Sequence, residues 1–440
     1  MDLTPRHLVY YRLAGLAACA IVAAPGLGVS VAPAADRASE FVLPVGEVST
    51  VVVPGIDNAI KVLLPTNYVA EQKWPAIFYY SAMNQRPDTG ILRLFTGSRD
   101  YILVGLPYLA DNMNQSTPQA REAALQREIT GFRASRAWVA THTAMDDRRV
   151  FLAGASKGGW MTASLGEREC GRLAGLVILL SGRVPYAQQA AMAAPLQGKP
   201  VYIGEGETDP NLIPALEARE YYRRNGANVT TEIFDGIGHA LPKHAPRLKQ
   251  WLEAHGRYGD AAAAQNLAEL TASFRDQAAR IGTERDPAAK YTQLTDVLQN
   301  PLLALCSPAS IPGLESQLAA LRAKLPAQQA EWQAEQSFCE ILWREMNLRR
   351  LADQKAVRDD LKKLSESKPD TRYGKLAADL YARVAAAYEK SVEATGQAAA
   401  AAQKATPAKP ATTVVTPSFP SVDPVGPPVM RQKGRTISFQ

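Results

Sequence analysis

Histidine, cysteine and long apolar runs are all scarce in this chain, and each shortage narrows what it does. Five histidines in 440 residues leave few candidates for a general base. The four cysteines, Cys19, Cys170, Cys306 and Cys339, form no Cys-x-x-Cys pair and no Cys/His spacing of a zinc site. No metal or other cofactor is expected. The longest strongly apolar run, Leu13–Ala24, falls short of the ~20 residues that span a bilayer, which excludes a multi-span membrane chain. Charge of one sign is also in short supply. Lys and Arg total 49 against 43 for Asp and Glu, a net of +6. Half of that excess lies from Glu393 onward, where Lys404, Lys409, Arg431, Lys433 and Arg435 face only Glu393 and Asp423. A nearly neutral body excludes nucleic acid as a partner and leaves the basic tail as a candidate contact with the cell-envelope surface.

The chain has 46% hydrophobic and 21% charged residues, an ordinary globular composition, and its length allows about three folding units. Arg6 and Arg12 precede the apolar run, and Ala32-Pro33-Ala34 follows as a small-x-small cleavage pattern. Residues 1–35 therefore read as a signal peptide, and the protein is expected to be exported, periplasmic or secreted. Leu16-Ala17-Ala18-Cys19 also fits a lipoprotein cleavage box, so anchoring at Cys19 stays open, as does a retained anchor. In an oxidising compartment Cys306 and Cys339 are candidates for a bridge between neighbouring helices, and Cys170, ahead of the apolar run Leu176–Leu180, for a buried thiol.

From 36 to 258 short apolar or β-branched runs alternate with helical stretches, which predicts an α/β fold with helices on both faces of a mostly parallel eight-stranded sheet. The runs are Thr50–Val53, Ile60–Leu64, Ala76–Tyr80, Tyr101–Leu106, Val150–Ala153, Leu176–Leu180, Val201–Ile203 and Thr230–Phe234. Helices are predicted at Pro118–Thr141, Gly158–Glu167, Asn211–Asn225 and Lys243–Tyr258. After Gly259 the composition turns to Ala, Leu, Gln, Glu, Lys and Arg, giving an all-α helical region over 259–394. Its predicted helices are Asp260–Ile281, Ala288–Leu305, Leu314–Leu325, Ala327–Leu351, Asp353–Ser365 and Tyr373–Ala394. Residues 395–440 read as an Ala/Pro-rich linker and disordered basic tail. The protein partner of the helical region, if it has one, is not legible.

The sharpest chemical signal is Gly154-Ala155-Ser156-Lys157-Gly158-Gly159, directly after an apolar strand and before a helix. A nucleophilic serine must project from a sharp strand-to-helix turn, and flanking glycines remove side chains that would block it. The bland alternative is a glycine-rich turn whose serine caps the helix. A serine nucleophile needs a base and a carboxylate to orient that base. His239, in Gly236-Ile237-Gly238-His239, follows the last strand, and His244 is its near competitor. Asp209 closes the loop after the preceding strand, with Glu205 and Glu207 as substitutes and helix capping as its bland role. The chain order Ser156, Asp209, His239 puts each residue after a strand.

Residues from about Ile60 to Trp251 resemble the α/β-hydrolase superfamily, especially its secreted esterase and prolyl-oligopeptidase-like branches. The matching stretches are Val62-Leu-Leu-Pro-Thr-Asn-Tyr68, Lys73-Trp-Pro-Ala-Ile-Phe78, the Gly154–Gly159 turn, Tyr202-Ile-Gly-Glu-Gly-Glu-Thr-Asp-Pro-Asn211 and Gly238-His239. The resemblance implies a serine hydrolase that cleaves a carboxylic ester through an acyl-enzyme on Ser156. A peptidase with the same triad and a catalytically weak scaffold or binding protein are the alternatives, so the expected partner is an ester or peptide substrate. Many superfamily members carry His-Gly after the third strand, where this chain has Tyr80-Ser81-Ala82-Met83-Asn84. The backbone amides of Ala82 and Lys157 are the expected oxyanion donors. Lys157 is read as a solvated side chain, with attraction of an acidic substrate as its alternative, and Met83–Arg99 and Pro107–Ser116 as stretches that could line the site.

Overall fold

Alternate side chains of the central strands fill two separate cores, one on each face of a sheet. The computed structural model describes residues 42–82, 86–110, 117–183, 196–257, 263–306, 311–348 and 351–404. The leader with Cys19 and the tail beyond 404 lie outside them, as does the expected boundary at 258/259. Eight strands are present: β1 (Val48–Val51), β2 (Ile60–Leu63), β3 (Trp74–Tyr80), β4 (Ile102–Leu106), β5 (Met145–Ala155), β6 (Gly175–Leu179), β7 (Pro200–Gly206) and β8 (Asn228–Phe234). Their order is β1-β2-β4-β3-β5-β6-β7-β8. β1 and β4 pair antiparallel with β2, and the other neighbours pair parallel.

The period-2 alternation decides which residue goes where. Ala76, Phe78, Val150, Leu152, Leu176, Ile178, Val201 and Ile203 enter one core. Their neighbours Ile77, Tyr79, Phe151, Ala153, Val177, Leu179 and Tyr202 enter the other. The first core is closed by α2 (Pro118–His142), α3 (Lys157–Glu169) and α4 (Leu212–Arg224), the second by α1 (Gly90–Thr96) and α5 (Pro246–Leu252). Strands buried on both faces must be nearly all apolar, which is why β3 to β7 stand out in the sequence.

Beyond the sheet lie α6 (Ala263–Thr283), α7 (Pro287–Leu298), α8 (Leu314–Lys324), α9 (Pro326–Met346), α10 (Leu351–Ser367) and α11 (Arg372–Lys404). They form two cores. Phe274, Ile281, Leu294, Val297 and Leu314 join α6, α7 and α8, together with Ala254 from the turn after α5. Phe338, Ile341, Leu342, Leu361, Leu376 and Leu380 join α9, α10 and α11, and this second core includes Leu212, Ile213 and Leu216 of α4. Helix α4 thus has one face on the sheet and another under the helical region. No helix among the described residues is long and apolar enough to cross a membrane.

Several boundaries differ from expectation for local reasons. Helix α1 is an addition: it is too short for a periodic signal, although Asp88 accepts from Gly90 N at 3.0 Å and Gly97 ends it at φ 63°. The helix expected from Lys243 starts only at Pro246, because a residue before proline is driven from helical geometry and Ala245 sits at φ −128°, ψ 80°. The helix expected over 288–305 breaks after Leu298, where Asn300 caps a separate turn at Pro301–Leu305. The last helix runs on to Lys404, through an alanine-rich stretch with the best helix propensity.

The expected bridge does not form, and Cys306 and Cys339 are both unbridged thiols. Cys306 belongs to the core of α6 to α8, whereas Cys339 faces α4, where its Sγ accepts from Arg219 Nη2 at 2.7 Å. The two thiols face different partners. Cys170 is the buried thiol that was expected. Burial raises its pKa to about 11 and that of Cys339 to about 12, so neither carries much thiolate near neutrality. After denaturation without reductant, all three thiols should alkylate, whereas in the folded chain Cys170 and Cys339 should react far more slowly than a free thiol. A mass two hydrogens short of the thiol form would restore the bridge.

Candidate active site

From β3 the chain passes to β4 on one side and then crosses back to β5 on the other, so the loops at the ends of β3 and β5 part at a topological switch point. Ser156 stands there, between β5 and α3. Its backbone is at φ 54°, ψ −120°, a region that costs a non-glycine residue of order 1–3 kcal/mol. Close packing enforces it. A Cβ on Gly154 would lie 2.1 Å from the Gly158 carbonyl oxygen, and one on Gly158 would lie 2.1 Å from that of Tyr80. A Cβ on Gly159 would lie 1.9 Å from Ser181 Oγ. Ser156 N donates to Leu179 O at 2.8 Å, and Ser156 O accepts from Gly159 N at 2.9 Å.

The serine side chain makes no capping bond to α3. Ser156 Oγ lies 2.8 Å from His239 Nε2, and His239 Nδ1 lies 2.7 Å from Asp209 Oδ2. Asp209 is fully buried at its side chain while His239 is 41% exposed. Asp209 also performs its bland role, since Oδ1 accepts from Asn211 N at 2.8 Å ahead of α4. His244 is elsewhere. With Arg99, Asp100, Tyr101 and Lys249 it lines a cavity of about 630 Å³ between α1 and α5 that includes no member of the Ser156, Asp209, His239 group.

The competing acids have other fates. Glu205, at the end of β7, is fully buried. Burial, then the hydrogen bond with Asp209 and its charge, pushes Glu205 up to about 9, so near neutrality it is an uncharged acid. Glu207 is held below the usual range, first by the Gly236 amide and then by Arg372. Neither faces His239 as Asp209 does.

The amide of Lys157 opens α3, where no carbonyl lies one helical turn back to accept it. Tyr80 pairs with Gly154, and a Cβ on Gly158 would meet the carbonyls of Tyr80 and Ser81, so the chain leading into Ala82 runs against the start of α3. The Lys157 side chain is not simply solvated: it is half-buried, with Nζ 4.8 Å from the centre of the Tyr108 ring. Tyr108 in turn donates to Ser81 O at 2.6 Å. Buried Glu128 of α2 accepts from Leu109 N and Ala110 N, each at 2.8 Å, and from Tyr80 Oη at 3.2 Å. It ties together the chain leaving β3 and the chain leaving β4, an anchor that a lone mid-helix glutamate did not announce. Residues 83–85 and 111–116, parts of the two stretches expected to line the site, lie outside the described residues.

Residues 109–278 match the Dienelactone hydrolase family, a span that contains Ser156, Asp209 and His239. The sheet domain has an α/β-hydrolase-like fold. No curated protein matches the chain. Among solved structures, a CE1 ferulic acid esterase of Anaeromyces mucronatus is 15% identical over 44% of this chain and 84% of its own, with a TM-score of 0.35. A phospholipase/carboxylesterase of Dyadobacter fermentans is 15% identical over 42% and 90%, with a TM-score of 0.33. A thermostable esterase of Pseudomonas putida is 17% identical over 48% and 83%, with a TM-score of 0.37. The family match supports hydrolase function, and identities this low assign no substrate.

Glu205 gives the site a pH signature. The folded chain holds a proton that an unfolded chain releases above about 4.5, so folding stability falls as pH rises from there toward about 9. Glu205→Gln keeps a donor toward Asp209 and has no proton to lose. Its melting temperature should therefore fall less than that of the wild type between about pH 6 and about pH 9. Parallel melting curves across that range would show that Glu205 is ionised in the folded protein.

Proposed function

We propose that this α/β-hydrolase is a serine esterase. The observation that carries the reading is the unbroken chain from Ser156 Oγ through both imidazole nitrogens of His239 to the buried carboxylate of Asp209, at 2.8 and 2.7 Å. In the proposed reaction His239 Nε2 takes the Ser156 proton as Oγ attacks the ester carbonyl, and Asp209 stabilises the imidazolium and fixes its tautomer. The amides of Lys157 and Ala82 receive the oxyanion, aided by the positive end of the α3 dipole. Collapse of the intermediate breaks the ester C–O bond: the alcohol takes the proton from His239 and departs, while the acyl group stays on Ser156 Oγ. Water enters, gives a proton to His239 and its oxygen to the acyl carbon, and the carboxylic acid departs as Ser156 regains its proton. With the leader as read above, the reaction takes place outside the cytoplasm.

A fluorophosphonate probe should label the wild-type chain at Ser156, and Ser156→Ala should abolish labelling in a protein that melts normally. Wild-type protein that is folded yet unlabelled would favour the scaffold alternative. Asp209→Asn should lower turnover of p-nitrophenyl esters by up to ~10⁴ through loss of the correct tautomer, while His244→Ala should change it little. Comparison of p-nitrophenyl esters with a peptide panel separates esterase from peptidase.

A further inference from the structure

Asp209 and His239 stand on different loops, so their contact holds only as well as the loops hold each other. Backbone bonds supply part of the tie: Glu207 N donates to Phe234 O and Thr208 N to Ile237 O, each at 3.0 Å. Gly206 allows the approach, because a Cβ there would lie 2.2 Å from Gly238 O. Glu207 adds a side-chain tie, its Oε2 accepting from Gly236 N at 2.9 Å.

The second oxygen of Glu207 is held from outside the sheet. Arg372 Nη2 donates to Glu207 Oε1 at 2.8 Å, and the same nitrogen reaches Asp235 Oδ1, on the histidine side, at 3.1 Å. Arg372 is the first residue of α11 and lies 165 positions from Glu207. It is itself anchored, since its backbone N donates to Glu331 Oε2 of α9 at 2.9 Å and the adjacent Tyr373 Oη donates to Glu335 Oε1 at 2.8 Å. Tyr373 then enters the apolar core that α9 to α11 share with α4, the helix that follows Asp209.

We propose that Arg372 is a positioning residue of the hydrolytic site, through which the helical region closes the Asp209 loop onto the His239 loop. The proposal rests on the serine-hydrolase reading of Ser156. Arg372 touches neither substrate nor the reacting atoms and acts through Glu207 and Asp235. Both partners of the Arg372–Glu207 pair are about one-third exposed, 35% and 33%, and such pairs add little to global stability. Their loss belongs in the rate, because small misplacements of catalytic groups are costly.

The test uses the full chain with Arg372→Ala, Arg372→Lys and Glu207→Gln. Arg372→Ala should lower kcat on a p-nitrophenyl ester by about tenfold or more, with KM and melting temperature near wild type. Fluorophosphonate labelling should slow by a similar factor. Arg372→Lys should recover much of the loss, and Arg372→Ala added to Glu207→Gln should cost little more than Glu207→Gln alone. Amide hydrogen exchange should quicken in residues 206–211 and 234–239 of the alanine variant. Unchanged kcat and unchanged exchange in those loops would overturn the proposal, as would a loss of activity that tracks melting of the whole chain. Wild-type protein with neither labelling nor esterase activity would sink the serine-hydrolase reading instead, and the exchange comparison would still decide whether Arg372 ties the loops.

Discussion

The site depends first on a backbone conformation that its own residue disfavours. Ser156 adopts positive φ because the glycines around it let β5, α3 and the end of β3 approach to distances at which any Cβ would collide. The strain is local and its support is spread over the middle of the sheet, where β5 has a parallel neighbour on each side. A serine on a relaxed turn could satisfy the α3 amides as an N-cap. Held in this conformation, its hydroxyl goes to His239 instead.

Three acids within five residues of one another show how surroundings rather than residue type set a role. Glu205 is buried beside another acid and keeps its proton. Glu207, two residues on, meets an amide and a guanidinium and gives its proton up readily. Asp209 has both oxygens engaged, one by the chain entering α4 and one by imidazole. Glu205 lies within β7 and is buried, Glu207 lies just past the end of the strand, where the chain has turned toward the helical region, and only the turn beyond brings an acid to His239. One carboxylate, one neutral acid and one structural anion come from a single short segment.

The sheet was legible in its middle because β3 to β7, buried on both faces, have little freedom of composition, and all eight strands appear where apolar or β-branched runs predicted them, with ends shifted by a few residues. The group at Ser156, Asp209 and His239 was legible for a related reason. Each residue follows a strand, and parallel strands deliver the residues after them to one edge. What escaped the sequence lies in contacts between distant segments. Nothing near Cys306 or Cys339 reveals that one enters the core of α6 to α8 while the other meets Arg219 of α4, nothing around Glu128 marks it as an anchor for two loops, and Arg372 reads as one more basic residue at a helix start. Helix α1 escaped for the opposite reason, being too short to display a period. Lys157 looked solvated because a ring contributed by Tyr108, 49 residues earlier in the numbering, cannot be placed beside it by local pattern.

Sharing α4 between two cores also orders events during synthesis. The strands, Ser156 and both loops bearing Asp209 and His239 have all been translated before α9 begins, yet one side of α4 has its apolar cover only in α9 to α11. At bacterial-like elongation rates of roughly 5–20 residues per second, the 165 positions between Glu207 and Arg372 take on the order of ten seconds. For that interval the nascent chain carries Leu212, Ile213 and Leu216 without their native partners, a ready target for holding factors. The protein is thus born with its chemistry encoded early and its exposed seam closed late.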